Sequence, residues 1–276
     1  RRMGRKVSIV GIQNSPTKYD MDKNLKDAMM LLDEALDFYE HVDIAVFPEY
    51  FSFVPEYKDT PMIGEYSKEL KKALSSRAKK YNTYIIGGTV ANKREDGNIY
   101  NTALVFDRNG EVIGSYDKIH LFDVLDATGE EQESNQITRG ENLLTFDADF
   151  GKVGVMICYD IRFPELARTY ALQGVEYLMV PAAFFSPRFD HWQGLIKAAA
   201  LQNGMYVMGV NIFGKVCDTL NLCGRSLIVD PWGIKLASAP DKPSFIQAYV
   251  DPDHPKQIRD ALGTFHNRVP SVYDIK

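Results

Sequence analysis

Residues 154–165 read GVMICYDIRFPE: an apolar run ends in a cysteine, Cys158, and Tyr159, Asp160 and Arg162 follow at once. Residues 153–157 have the composition of a buried strand, and Pro164 stands where proline opens a helix. The stretch therefore predicts a strand, a polar turn and a helix, the repeating unit of an α/β fold. Two roles compete for Cys158 at that junction. Free cysteine is among the most buried residue types and packs as a small hydrophobe. A nucleophile is the alternative, because the positive end of a helix favours a thiolate.

The same alternation extends in both directions. Residues 7–13 read as a strand, and a helix begins near Asp22 with Leu25, Met29, Leu32, Leu36 and Tyr39 at helical spacing. A strand at 43–49, a helix at 64–80 and a strand at 83–90 come next. A hairpin of 102–107 and 111–117 turns at Asn109-Gly110 and completes a first half. After a loop over 118–140 the order recurs: strand 152–158, helix 164–173, strand 176–181, helix 191–203, strand 205–211 and strand 225–230. A turn at Pro231-Trp232-Gly233 and a strand near 245–250 close the second half. Two mixed sheets, each with helices on one face, bury their free faces together in a four-layer α-β-β-α sandwich. In such an α/β arrangement the site lies in loops at the carboxyl ends of the strands. No Pro/Gly/Ser-rich linker interrupts the chain, so residues 1–276 are expected to form a single domain.

Bulk properties narrow the function. At 276 residues, 45% hydrophobic and 25% charged, the chain can bury a large core. A net charge of -5 with no long Lys/Arg run argues against a nucleic-acid partner. No stretch reaches the roughly 18 apolar residues of a membrane span, and the basic start leads into a short strand rather than a secretory core. Three cysteines, Cys158, Cys217 and Cys223, make an odd set that points to a reducing, cytoplasmic setting. The spacing of Cys217 and Cys223 matches no common zinc knuckle, so no metal is expected.

Read in order, the strand ends carry Glu49, Lys118, Cys158 and the run Ala182-Ala183-Phe184. Any one of these alone is weak, because charged residues and cysteines at strand ends are mostly solvated or structural. Together they form a chemical set. A cysteine that attacks a carbonyl needs a proton acceptor and a stabiliser of the oxyanion, which Glu49 and Lys118 can supply. No cysteine-protease signature surrounds Cys158, and His120 and His191 read as supporting groups or as ordinary hydrogen-bonded residues.

PEY at 48–50, YDKIHLFD at 116–123 and GVMICYDIRFPELAR at 154–168 resemble the three motif blocks of the nitrilase superfamily, the carbon-nitrogen hydrolases. The VDPWG turn at 229–233 is similar to theirs as well. The resemblance implies Cys158 as nucleophile, Glu49 as general base and Lys118 as stabiliser of the tetrahedral intermediate; in the mechanism expected for this set, the Tyr159 backbone N–H also faces the oxyanion. It implies a further glutamate in GEEQESNQITRGE, placed at Glu133, with Glu130 or Glu131 as the match if the loop is shifted. It also implies a homodimer or larger assembly, and the expected mechanism needs no metal or organic cofactor. Residues 197–207, KAAALQNGMYV, depart from the family, with Ala199 and Gln202 where relatives commonly pair an arginine with a glutamate.

Within the superfamily, KIHLFD followed by QES, and PAAFFSPRFDHW, look most like the omega-amidase and Nit group, which acts on amides of small dicarboxylates. Other carbon-nitrogen hydrolases, such as N-carbamoyl amidohydrolases and nitrilases, are the neighbouring alternatives, and a non-catalytic binding protein that keeps the fold is the alternative from another class. For an acidic amide, Arg188 is the candidate carboxylate ligand, since a guanidinium grips a carboxylate through two parallel hydrogen bonds. Phe184, Phe185 and Trp192 are the candidate walls of a small pocket.

Overall fold

The structure is a computed structural model that describes residues 5–54, 60–123, 132–216, 218 and 220–273. Its elements run β1 (Val7–Gln13), α1 (Met21–Phe38), β2 (Ile44–Val46), α2 (Thr60–Tyr81), β3 (Tyr84–Ile86), β4 (Val90–Lys93), β5 (Ile99–Phe106) and β6 (Val112–Asp117). The chain continues through β7 (Thr145–Ala148), β8 (Gly151–Val155), α3 (Pro164–Leu172), β9 (Tyr177–Ala182), α4 (Phe189–Asn203) and β10 (Tyr206–Asn211). It ends with β11 (Phe213–Lys215), β12 (Asn221–Cys223), β13 (Leu227–Val229), β14 (Lys235–Ser238), β15 (Ser244–Val250) and α5 (His254–Leu262).

Two mixed sheets carry the architecture. The first has the order β15-β1-β2-β3-β5-β4 with β6 on β5, and the second β14-β13-β10-β9-β8-β7. Strand alternation sorts their side chains into layers. Ile9 of β1 joins Ile44, Val46, Ala103 and Val105 in the core between the sheets, whereas its neighbours Val10 and Ile12 face α1 and α2. The stripe Ala28, Met29, Leu32, Ala35 and Leu36 packs α1 on that outer face, together with Leu70, Leu74 and Ala78 of α2. On the second sheet, Leu166, Tyr170, Trp192 and Ile196 close the opposite outer layer. The four layers expected from the element order are present, in a sandwich of two mixed sheets.

Three differences from the sequence reading bear on the site. The strand read over 83–90 is broken into β3 and β4, because Gly88 has φ +56° and any Cβ there would lie 2.1 Å from the carbonyl oxygen of Pro48. The chain segment that carries Glu49 thus passes against a glycine. The strand read over 152–158 stops at Val155, and Cys158 begins a 3-10 turn, Cys158–Arg162, before α3. The last strand does not close the second sheet. It pairs antiparallel with β1, Val7 opposite Val250, and so completes the first sheet. Period-two alternation specifies a strand and its buried face, but not which sheet edge receives it.

The reading also missed β7, the β11–β12 hairpin, β14 and α5. These are short or carry few buried side chains, so they leave little pattern. Among the described residues no helix is long and apolar enough to cross a membrane.

Candidate active site

Glu49, Lys118, Glu133 and Cys158 all arrive buried at one end of the sandwich. Glu49 follows β2 in a turn where Tyr50 takes φ +51°. Lys118 continues the β5–β6 ladder by one rung, its backbone N–H donating to the Asn101 carbonyl at 2.9 Å. Glu133 opens a short 3-10 turn, Glu133–Asn135. Cys158 sits at φ +47°, a left-handed conformation strained for any residue with a Cβ.

The Lys118 ammonium bridges the two carboxylates, 2.9 Å to Glu49 Oε1 and 2.8 Å to Glu133 Oε2. Backbone donors hold the remaining lone pairs: Ala183 N–H reaches Glu49 Oε2 at 2.9 Å, and Phe122 N–H reaches Glu133 Oε2 at 2.7 Å. The Asn101 amide Nδ2 spans the pair, 2.8 Å from Glu49 Oε1 and 3.1 Å from Glu133 Oε1. Lys118 is 2% exposed, Glu49 3% and Glu133 0%, so these interactions act with little screening by water. Burial pushes the Glu133 carboxyl above its usual range; the Lys118 charge opposes that, and the Glu49 charge adds to it.

The Cys158 thiol is pushed well up, first by burial and then by the negative charge of Glu49; the Lys118 charge acts in the opposite direction. This corrects the expectation of a thiolate stabilised by a helix end. The 3-10 turn separates Cys158 from α3, and the group beside the sulfur is a carboxylate. The sulfur thus lies in surroundings that favour the thiol over the thiolate, with Glu49 as the nearby proton acceptor.

A second buried cluster fixes the turn. Asp160 Oδ2 accepts from the Ile157 N–H at 2.9 Å and from the Tyr116 hydroxyl at 2.7 Å, and Oδ1 accepts from the His120 backbone N–H at 2.9 Å. His120 Nδ1 donates to the same Oδ1 at 2.8 Å, and its ring stacks on Phe163 with centroids 3.6 Å apart. One carboxylate thereby ties the Cys158 turn to the segment carrying Lys118. Burial, followed by the Asp160 charge, pushes the Tyr116 hydroxyl well above its usual range, so it stays a donor.

The remaining sequence candidates are distributed unevenly. Phe184 is buried, and its backbone N–H donates to Asn211 Oδ1 at 2.8 Å. Phe185 stacks on Phe122 at 5.2 Å, and Phe122 meets Tyr159 edge-on at 5.3 Å. Trp192 lies in the core under β10, its indole N–H on the Arg225 carbonyl at 3.0 Å and its ring 5.3 Å from Phe184. A Cβ at Gly209 would fall 2.6 Å from that indole. Trp192 therefore backs Phe184. Arg188 is exposed, immediately before α4. Arg162, at the end of the Cys158–Arg162 turn, lies over Phe184 at 5.1 Å and 3.4 Å from His191 Nδ1.

In the unusual 197–207 segment, Ala199 is buried and the last carbonyls of α4 are held from outside. Arg168 donates to the Gln202 oxygen at 2.7 Å and Arg259 to the Asn203 oxygen at 3.0 Å. Glu130, Glu131 and Cys217 lie outside the described residues.

Asn101 and Asp160 were not singled out from sequence. Asn101 carried a signal: in NIYNTALVF it shares a strand face with Ala103 and Val105, a polar residue in line with the core between the sheets.

A buried thiol, two carboxylates and an ammonium meet at the end of a two-sheet sandwich, a set of groups on which acyl-transfer chemistry can draw. The carbon-nitrogen hydrolase family profile matches residues 6–260, and the chain belongs to that family. It is 35% identical to omega-amidase NIT2-A of Xenopus laevis, over 98% of this chain and 97% of that protein. It is 34% identical to the deaminated glutathione amidase of Synechocystis, over 91% and 94%. The crystal structure of Saccharomyces cerevisiae Nit3, a member of branch 10 of the nitrilase superfamily, superposes with a TM-score of 0.85 at 30% identity, covering 94% of each chain.

Proposed function

We propose that this protein is a cysteine-dependent amidase that hydrolyses a small carboxylic-acid amide, releasing ammonia through a thioester. The observation that carries the reading is the buried cluster beside Cys158, in which Lys118 bridges Glu49 and Glu133 and shares with Asn101 the same Glu49 oxygen. Glu49 accepts the Cys158 proton as the sulfur attacks the amide carbonyl. Lys118 and the Tyr159 N–H face the developing oxyanion. The Glu49 proton leaves with ammonia, and Glu49 then activates the water that cleaves the thioester, so one carboxylate serves as base, acid and base again. Glu133 holds Lys118 from the opposite side. The names of the relatives support amides as substrates, and the omega-amidases among them support an acidic one.

The substrate's carboxylate is assigned to Arg188, with Phe184 and Phe185 as pocket walls and Trp192 behind Phe184. Arg162 over the Phe184 ring is the second cation within reach of this wall. The protein is read as a single domain, cytoplasmic, and a homodimer or larger.

Ammonia release from a panel of small acidic and neutral amides, by the wild type and by Cys158→Ala, tests the reaction. Turnover of an acidic amide that vanishes in the variant is the expected result; comparable turnover by both proteins would sink it. In the same panel, Arg188→Ala should raise KM steeply for the acidic amide and hardly at all for a neutral one of similar size, with Arg162→Ala measured alongside.

A further inference from the structure

Around Lys118 the charges do not balance. Two carboxylates, Glu49 and Glu133, share one ammonium in a site closed to water, and such a group loses charge unless hydrogen bonds hold the ionised form. The groups facing the pair are few enough to name. Glu49 meets Lys118, the Ala183 N–H, Asn101 and the Cys158 thiol. Glu133 meets Lys118, the Phe122 N–H and Asn101. Asn101 is the one side chain other than Lys118 that both carboxylates share in these contacts.

Its amide is used on one side only. Nδ2 donates a hydrogen to each carboxylate, while Oδ1 is buried with no hydrogen-bond partner among the described residues. An unpartnered buried oxygen is a cost to the fold. The opposite amide orientation would aim that oxygen at two carboxylates, so the residue is held for its donors. The placement is rigid. Asn101 lies inside β5, fully buried, and its own carbonyl accepts the Lys118 backbone N–H.

We infer that Asn101 is a positioning residue of the reaction, its amide holding Glu49 and Glu133 as an ionised pair around Lys118 so that Glu49 is free of its proton when the thiol must give one up. This inference rests on the amidase reading. A donor to the charged form lowers the proton affinity of its acceptor, so removing Asn101 raises that of the carboxylate pair. The acid limb of kcat/KM reports the pair as a unit. It should therefore move to higher pH.

The experiment is kcat/KM against pH for the wild type, Asn101→Leu and Asn101→Ser, on whichever acidic amide the wild type hydrolyses fastest. Asn101→Leu keeps the shape and removes both donors; its acid limb should rise by about one pH unit, a roughly tenfold extra loss below the limb that largely recovers above it. Asn101→Ser keeps one donor and should shift less. If Asn101→Leu does not fold, Asn101→Ser gives the same readout with a smaller change. Losses equal at every pH would mark a merely structural role and overturn the inference, as would a wild-type profile in both variants. A wild type without ammonia release, or a Cys158→Ala protein as active as wild type, would instead remove the amidase reading beneath it.

Discussion

Asp160 Oδ1 accepts two hydrogen bonds from one residue, His120, through the backbone N–H at 2.9 Å and ring Nδ1 at 2.8 Å. Since a carboxylate oxygen accepts, ring Nδ1 carries a hydrogen in that contact. His120 is two residues past Lys118 and Asp160 two past Cys158, so this joint sets the distance between ammonium and sulfur.

Asp160→Asn replaces an acceptor with a donor facing the Tyr116 hydroxyl, the Ile157 N–H or His120. A buried donor left without an acceptor costs about 1–3 kcal/mol. The expected result is a loss in that range in urea unfolding, with kcat down at least about tenfold, because the turn at Cys158 loses its brace. His120→Asn, which removes only the ring, should lose less on both measures.

Glu49→Gln should lower kcat by at least about 10²-fold, the scale of a removed general base. Mass spectrometry of wild-type protein quenched during turnover should place the acyl group on the Cys158 peptide, with none on Cys217 or Cys223.

Lys118→Met leaves Glu49 and Glu133 buried together without their cation, a change that costs about 3–5 kcal/mol. Adding Glu133→Gln should recover part of that stability while activity stays low. Thermal melts of the single and double variants read the coupling directly, and additive losses would count against it.

Stability should fall on the alkaline side. Burial raises the Cys158 thiol, pushes Cys223 up to about 12, and raises the Tyr116 hydroxyl. For each of these acids the folded state keeps a proton that the unfolded chain releases near its ordinary value, about 8.5 for cysteine and 10 for tyrosine. The stabilisation is complete below those values and is lost as pH rises through them toward the folded ones. Urea midpoints should decline above pH ~8.5, and Cys158→Ala should flatten the first part of that decline.

Gly209→Ala puts a methyl group 2.6 Å from the Trp192 ring. Overpacking of this kind typically costs about 1–3 kcal/mol. Since the displaced indole backs Phe184, the variant should also change KM for the amide; stability loss with unchanged KM would separate the two residues.

Glu49, Lys118 and Cys158 were legible because each ends or directly follows a stretch read as a strand, where a reactive side chain is conspicuous. Glu133 followed only from resemblance, since a short 3-10 turn in a loop has no period of its own. Asn101 and Asp160 were hidden for different reasons. Asn101 is a polar residue inside a strand whose partners lie in three other segments, and Asp160 reads as one more polar residue of a turn until Tyr116 and His120 are brought to it. The sheets were legible as strands, but the partner of β1 was not, because a strand's pattern does not name its neighbour.

That partner is the last strand of the sandwich. Val7 and Val250 sit side by side at the two ends of the chain, so the ribosome releases the second residue of the pair long after the first. Until then the edge of β1 is an open template of unpaired N–H and C=O groups, the kind that recruits strands from other molecules. Order of synthesis thus makes the first sheet the last to be finished. A nascent chain arrested after β14 should be sensitive to protease across β1 and prone to self-association, and release of the final segment should abolish both.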